Sequence, residues 1–305
     1  MIKISVVIVS WNTCHFLRNC LVSALLACRR LGQETEMIVV DNASSDGSVP
    51  MVTREFPEVR IIVNSTNEGF ASATNQGILC SVGQYVLLLN PDTRPFESSL
   101  QVLVEFLDSH PEAGAAGPLL LGRSGDVQPS YSRFPTLLRE LWSLFHLERF
   151  TRPSPTRMGD LHQPRQVEAI GGACLLVRRT VLEEIGLLDE RFFIYSEEID
   201  FCRRMFDAGW RIYWIPQAVV THYGGESTRQ VGTQMFLELY RSKIQYFRKH
   251  FGFGGASAYK VLLLFASIAR LVASSILTVT QPSQRAQVML LARNYGALLR
   301  KLCFL

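Results

Sequence analysis

The chain has 305 residues, 48% of them apolar and 19% charged, which is long enough to bury a large core and too apolar for an intrinsically disordered protein. Its net charge of +4 conceals a division: Arg241 to Leu305 carries ten Lys or Arg and no acidic residue, leaving 21 basic against 27 acidic residues, a net of −6, in residues 1–240. A basic, apolar tail on an acidic body suits an anionic membrane surface, and a nucleic-acid partner is disfavoured because no known binding motif is present and the tail is too apolar.

Met1 to Ser10 opens on a run of apolar residues that stops at Trp11 and Asn12, without a small-residue cleavage site. It reads as a first core strand, Ile4 to Val9, rather than a signal peptide. Residues 13–30 suit a helix, with Phe16, Leu17, Cys20, Leu21 and Ala24 at three- and four-residue steps. A second strand, Met37 to Val40, ends at Asp41; Ser44 to Gly47 is turn chemistry and Val49 to Glu55 a helix. A third strand at Arg60 to Val63, a helix at Ala71 to Cys80 and a fourth strand at Tyr85 to Leu89, ending at Asn90, complete the alternation. Such alternation implies a mainly parallel sheet with right-handed crossovers. Ligands of these sheets bind at the carboxyl ends of the strands, so the polar clusters after strands one, two and four converge on one cleft.

Residues 97–109 again suit a helix. From Gly122 to Gln166 the periodicity fades into long loops with a short helix near Leu137 to Phe145. Order returns with Ala169 to Val177, a helix at 179–186 and a compact block from Asp189 to His222. In the tail, Lys260, Ser267, Arg270 and Ser274 fall within about 80° of helical arc, a polar stripe on an apolar helix. The charges at 260 and 270 disfavour a simple membrane span of about 20 apolar residues. After Pro282, Val288, Leu291, Tyr295, Leu298 and Leu302 share a second apolar face, with Arg293 and Arg300 opposite. An in-plane membrane anchor and a hairpin packed on the protein or on a dimer partner both fit these helices. The seven cysteines are scattered with no CxxC pair, which argues against a zinc site or a disulfide framework and for buried thiols in a reducing compartment.

The loop after strand one has no glycine, so there is no dinucleotide fingerprint, and no P-loop occurs anywhere; this all but excludes a nicotinamide oxidoreductase. Carboxylates stand at strand ends instead. Asp41 could accept hydrogen bonds from an imide N–H or a ribose hydroxyl, or, like Asp46, could serve only an Asx turn or a helix cap. Asp92, in Leu89-Asn-Pro-Asp92, could join diphosphate oxygens around a hard divalent cation, or belong to an ordinary turn. Singly, each is weak.

In order along the chain the motifs are more specific. Ser5-Val-Val-Ile-Val-Ser-Trp-Asn12, Val40-Asp-Asn-Ala-Ser-Ser-Asp-Gly47, Asn67-Glu-Gly-Phe-Ala-Ser-Ala-Thr-Asn75 and Leu89-Asn-Pro-Asp92 together resemble family 2 glycosyltransferases of the GT-A fold. Gly171-Gly-Ala-Cys-Leu-Leu-Val-Arg-Arg179 and the stretch from Gly186 to Arg204 fit the same pattern, and the matching segments run from residue 4 to about 227. Within the family the sequence is most similar to bacterial rhamnosyltransferase-like enzymes of surface-polysaccharide assembly, with Gly125-Asp-Val-Gln-Pro-Ser-Tyr-Ser-Arg-Phe-Pro135 as a further point of likeness.

The resemblance implies roles. Asp41 would hold the nucleobase, with Asn67 and Asn75 facing the donor or capping the helix between them. Asn90 stands where the family's Asp-x-Asp motif has its first, ribose-side carboxylate, which leaves Asp92 as the motif's sole carboxylate for Mg²⁺ or Mn²⁺. His222 matches a histidine that contacts metal or diphosphate. Glu197-Glu-Ile-Asp200 aligns with the acceptor motif, usually Glu-Asp-x-Asp, and places Glu198 as the base. Glu197 and Asp200 are its acceptor-side companions, although helix-dipole contacts and a pairing of Asp200 with Arg203 or Arg204 would also account for them.

The expectation is a GT-A-like α/β domain over residues 1–253 and a basic amphipathic helical tail over 254–305. Its activity would be metal-dependent, inverting transfer from a dTDP- or UDP-linked sugar to a glycan or polyprenyl-linked acceptor, at the cytoplasmic face of the membrane, with a homodimer open. The competing expectation, raised by Asn90 and Glu198, is a sugar-nucleotide-binding scaffold of the same fold without the chemistry.

Overall fold

The computed structural model describes residues 1–145, 161–224, 232–280, 283 and 285–305. The middle of the Gly122–Gln166 stretch, residues 225–227 after the His222 segment, and Pro282 fall outside them. In chain order the first elements are β1 (Ile4–Ser10), α1 (Cys14–Leu31), β2 (Thr35–Asp41), α2 (Ser48–Glu55), β3 (Arg60–Val63), α3 (Phe70–Leu79) and β4 (Tyr85–Leu89). There follow β5 (Thr93–Pro95), α4 (Ser99–Ser109), β6 (Ala113–Leu121), β7 (Val127–Gln128), β8 (Tyr131–Ser132), α5 (Leu137–Leu144) and β9 (Arg165–Val167). The last are β10 (Ala169–Ile170), β11 (Cys174–Arg178), α6 (Arg179–Ile185), α7 (Glu197–Asp207), β12 (Arg211–His222), α8 (Gly232–Thr280) and α9 (Arg285–Lys301).

They form two compact units. The first holds the sheet with α1 to α4, α6 and α7. Its main sheet runs β3-β2-β1-β4-β11-β6-β12-β5. The strands β3, β2, β1 and β4 are mutually parallel, as their alternation with helices requires, and β11 pairs antiparallel with β4. All seven residues of β1 are buried because both faces are covered. Ile4, Val6 and Ile8 pack with Leu17, Cys20 and Leu21 of α1 and Leu100 and Leu103 of α4, whereas Val7 joins Ala71 and Ile78 of α3 and Phe201 and Met205 of α7. Each of the Val, Leu, Ile, Phe and Met side chains among them contributes on the order of 1.5–3 kcal/mol by leaving water.

The central strand β6 has no counterpart among the sequence expectations. Its sequence, Ala113-Gly-Ala-Ala-Gly-Pro-Leu-Leu-Leu121, is poor in strand formers, yet β11 and β12 flank it. Close packing accounts for the small residues: a Cβ on Gly117 would overlap Ile170 Cγ2, and one on Gly114 would lie 3.0 Å from Trp210 Cβ. Pro118 sits where the register of β12 against β6 shifts, between Ile215 and Val219, and its carbonyl accepts from the Trp214 indole N–H at 3.1 Å. The span Ala169–Val177, expected as one ordered stretch, is β10 and β11 separated by Gly171 to Ala173.

The second unit gathers α5, Ile194–Ser196, α8 and α9. In it α8 runs from Gly232 and is broken at Gly252, two residues before the expected start of the tail at 254, with a φ of 69° outside the helical region. A buried carboxylate joins the two halves of α8 to α5. Glu140 accepts from Lys243 Nζ at 2.9 and 3.0 Å, before the break, and from the Tyr259 hydroxyl at 3.2 Å, after it. By length and composition α8 would be long enough to cross a membrane.

The polar stripe of the tail is present, but it faces inward. Ser267 and Ser274 are buried, and Arg270 donates to the Leu144 carbonyl at 3.0 Å. The outward arc carries Val261, Leu264, Phe265, Ile268, Val272 and Ile276, which all lie within about 120° at 100° per residue. Of the apolar face of α9, Val288, Tyr295, Leu298 and Leu302 are buried while Leu291 is exposed, with Arg293 and Arg300 outside. Four cysteines are buried as expected, with burial pushing the Cys20 thiol up to about 12, but Cys14 and Cys80 are half-buried and Cys303 is exposed.

Candidate active site

The first unit assembles three groups of polar side chains along the carboxyl edge of β2, β1 and β4. At the end of β2, Asp41 is 1% exposed. Its Oδ2 accepts from the Ser44 backbone N–H at 2.9 Å, the Asx-turn contact expected of such a residue, while its buried Oδ1 has no partner among the described residues. Asp46 serves as a cap, accepting from the backbone N–H groups of Cys14 at 2.7 Å and Ser48 at 3.1 Å, so one carboxylate anchors the starts of α1 and α2. Asn12 (φ 51°) and Ala43 (φ 65°) bend the two loops together, with the Ser45 N–H donating to Asn12 Oδ1 at 2.8 Å.

Asn42, to which the sequence reading gives no role, organises the neighbouring loop. Its Nδ2 donates to Asn67 Oδ1 at 2.9 Å and to the Gly69 carbonyl at 3.1 Å, and its Oδ1 accepts from Asn64 Nδ2 and the Glu68 N–H. Asn67 also accepts from the Gly69 N–H at 3.0 Å, so its amide oxygen is committed to shaping the turn before α3. Gly69 (φ +85°) must be glycine, since a Cβ there would lie 2.6 Å from the Phe193 carbonyl oxygen. Asn75 departs from the donor-facing expectation. Its amide exchanges two hydrogen bonds with the backbone of Leu188, at 2.9 and 3.0 Å, and reaches Glu190, so it clamps α3 to the segment before α7.

The second group follows β4. The Asn90 N–H donates to the Ala173 carbonyl at 2.9 Å, which fixes the strand end against the Gly171–Ala173 loop. Two residues on, Asp92 is buried, and β5 pairs antiparallel with the end of β12, Thr93 opposite His222. The Tyr223 N–H donates to the Asp92 carbonyl at 2.9 Å, and His222 Nε2 lies 3.5 Å from Asp92 Oδ1. In a neutral imidazole with its proton on Nδ1, two acceptors face each other across that distance, an arrangement that a cation between them would stabilise. These are two protein donors, and no group of three or more His, Cys, Asp or Glu fit to hold a metal occurs among the described residues. A hard divalent ion that keeps waters and takes diphosphate oxygens fits such a pair; a structural zinc would need four protein ligands.

The third group opens α7. Glu197 is buried and Glu198 is partly exposed, and each has an Oε2 that is shielded from solvent and without a partner among the described residues. A Cβ on Gly172 would lie 3.7 Å from Glu198 Cβ and Cγ, which puts Glu198 beside the loop that Asn90 grips. Burial raises both carboxyls above the ordinary glutamate range, and for Glu197 the neighbouring Glu198 charge adds to it, while backbone N–H groups of the first turn act in the opposite direction. Asp200 is engaged structurally: Arg204 Nε bonds its Oδ2 at 3.0 Å, and the same guanidinium holds the carbonyls of Ile185 and Leu187. Arg203 pairs with Asp207 instead.

Comparisons with known proteins bear on the family and the fold. The sequence model described as "Glycosyl transferase family 2" matches residues 5–186. The N-acetylglucosaminyl-diphospho-decaprenol L-rhamnosyltransferase of Mycobacterium tuberculosis is 30% identical over 247 residues, covering 73% of this chain and 76% of that protein. The rhamnosyltransferase WbbL of Escherichia coli is 24% identical over 164 residues, 53% of this chain and 61% of its own. Among solved structures, the mannosyltransferase PcManGT from Pyrobaculum calidifontis, in complex with GDP-Man and Mn²⁺, superposes with a TM-score of 0.57. It covers 97% of this chain and 86% of that one at 15% identity, a likeness of fold.

Proposed function

The chain belongs to glycosyl transferase family 2, and on that premise we propose that it transfers a sugar, rhamnose first among the candidates, from a dTDP- or UDP-linked donor to a hydroxyl of a lipid-linked glycan, with inversion. The observation that carries this reading is the occurrence, in one compact unit, of an unpartnered buried Asp41 Oδ1, the Asp92–His222 pair and an unpartnered Glu198 Oε2. Asp41 Oδ1 accepts the imide N–H of a uracil or thymine base. Asp92 and His222 would hold a divalent cation, which supplies positive charge to the leaving diphosphate. Glu198 accepts the proton of the acceptor hydroxyl as its oxygen bonds to the anomeric carbon, and the bond from that carbon to the diphosphate oxygen breaks with its electron pair going to the diphosphate. Rhamnose and a polyprenyl-linked acceptor are favoured by the activity named for the mycobacterial relative.

Incubation with a panel of nucleotide sugars and polyprenyl-diphosphate-linked acceptors, read by mass spectrometry, should show one added deoxyhexose from dTDP-rhamnose. Binding of dTDP or UDP without any product across the panel would favour the scaffold reading, for which Asn90 in place of an aspartate and Glu198 in place of another are the supporting features.

The second unit fits a lipid surface. A water-facing amphipathic helix turns its polar stripe outward, but the half of α8 after Gly252 does the reverse and exposes large apolar side chains, six of them on the one arc named above. The exposed Met289, Leu290 and Leu291 of α9 and the basic Arg293, Arg300 and Lys301 complete a surface for an anionic leaflet. Since the contact is apolar at its centre and cationic at its edge, raised salt should weaken liposome binding without abolishing it. Flotation of the full chain with vesicles containing anionic lipid should show this. If Phe265→Glu with Ile268→Glu floats as well as the parent, the surface serves a dimer or another protein.

A further inference from the structure

The segment Asp126-Val-Gln-Pro-Ser130 is used by none of the roles above, yet it is bonded both to Gly171 and to His222. At its far end the Ser130 carbonyl accepts from the Gly171 N–H at 2.9 Å, and the Ser130 hydroxyl accepts from the Leu120 N–H at 2.8 Å, fixing the strand beside the loop next to Glu198. At its near end is Gln128. β7 and β12 pair with the same residues of β6 from opposite edges, Leu120 facing both Gln128 and Val220, and Leu121 both Val127 and Thr221. The half-buried Gln128 side chain reaches His222 and bonds it twice: Nε2 donates to the His222 carbonyl at 3.1 Å, and Oε1 lies 3.0 Å from His222 Nδ1.

The first of these bonds decides the second. A backbone carbonyl only accepts, so the Gln128 NH₂ must face it, and Oε1 is left pointing at the ring nitrogen. An amide oxygen also only accepts, so Nδ1 must carry the proton. In the neutral ring Nε2, 3.5 Å from Asp92 Oδ1, is then the lone-pair atom. We propose that Gln128 is a positioning residue which, through this two-point grip, holds His222 as the Nδ1–H tautomer with Nε2 presented beside Asp92 for a divalent cation. Histidines that bind metals commonly donate their second N–H to such a partner, and loss of the partner typically costs about 10–100-fold in metal affinity. The inference rests on Asp92 and His222 as the cation's residues, and its test separates the two.

The test uses the metal-free full chain labelled with ¹⁵N at histidine, at a pH of about 8 so that an ordinary imidazole is neutral. The His222 ring should show a protonated Nδ1 and an unprotonated Nε2. Gln128→Met keeps the side-chain length and removes both contacts, and should let the proton move to Nε2 and weaken Mn²⁺ binding, read by EPR with the metal alone, by about 10–100-fold. Gln128→Glu still accepts from Nδ1 and should keep the parental tautomer, which a purely structural contribution to the fold would not predict. A parental ring protonated on Nε2, or a folded Gln128→Met variant with unchanged tautomer and Mn²⁺ affinity, overturns the proposal. If Gln128→Met fails to fold, the Gln128→Glu ring decides, since a proton on its Nε2 overturns the proposal equally. Asp92→Asn is the separate control: unaltered Mn²⁺ binding in that variant removes the cation reading while leaving the tautomer result to stand by itself.

Discussion

Asp92→Asn is expected to abolish sugar transfer together with the Mn²⁺-dependent binding of dTDP or UDP, while leaving the fold intact. The substitution keeps shape and hydrogen-bonding capacity but removes the negative charge that a buried site needs to hold a divalent ion. The other polar position of the motif cannot replace it, because Asn90 is neutral. His222 would remain as one neutral donor, too few to fix an ion whose other ligands come from the diphosphate and water. Charge developing on a leaving group in a shielded site is worth on the order of a hundredfold or more in rate per lost stabilising contact, so residual turnover should be at least that far down. Turnover with and without EDTA, and calorimetric titration of the nucleoside diphosphate in the presence of Mn²⁺, measure both effects. Undiminished parental turnover in excess EDTA would remove the metal from the mechanism.

What the sequence discloses of this molecule follows from how local each determinant is. β1 to β4 and their helices are legible because both-face burial writes continuous apolar runs and three- and four-residue steps directly into the chain. The strand β6 is hidden because Gly114 and Gly117 answer to Ile170 and Trp210, residues more than fifty positions away, rather than to strand propensity. Asp41 and Asp92 stand in a recognisable order, so the closing of β2 by one and the placing of the other after β4 could be anticipated. The division of labour between Asp41 and Asp46, one with a free oxygen and the other wholly a helix cap, could not. Asn75 looked like a donor contact because it closes a family motif, but the partner that occupies its amide, Leu188, is far along the chain. Gln128 lies within the Gly125–Pro135 stretch and carries no local signal, since its meaning comes from β7 and β12 flanking β6. In the tail, periodicity shows that a polar stripe exists but not which side of it faces the protein. Only the contact of Arg270 with Leu144, and the burial of Ser267 and Ser274, turn the stripe inward.

Glu198→Gln should cut turnover by about 10²–10⁴-fold, the usual contribution of a positioned general base, and leave affinity for dTDP or UDP nearly unchanged. The acceptor hydroxyl is a poor nucleophile, and an amide of the same shape cannot take its proton. Glu197→Gln is the comparison, because Glu197 is more deeply buried and, unlike Glu198, does not lie against the Gly172 loop. The raised pKa of this pair gives the pH dependence a definite sign. The carboxylate must be ionised to act as a base, so activity should rise with pH along a limb displaced above the ordinary glutamate value, and that limb should vanish in Glu198→Gln. The two carboxyls titrate as a pair, so the limb belongs to both. Stability carries the opposite slope. A carboxyl whose folded pKa lies above its unfolded one favours the fold fully below the unfolded value, and loses that contribution as pH rises through the folded one. As pH rises through the folded values, negative charge is forced onto carboxyls that each have an under-partnered oxygen, and either Gln variant should melt higher than the parent there, with the gap closing toward acid pH. A loss of activity accompanied by a gain in melting temperature marks a group kept for chemistry at the expense of the fold. Should Glu197→Gln lose turnover while Glu198→Gln keeps it, the base is one residue earlier than assigned here.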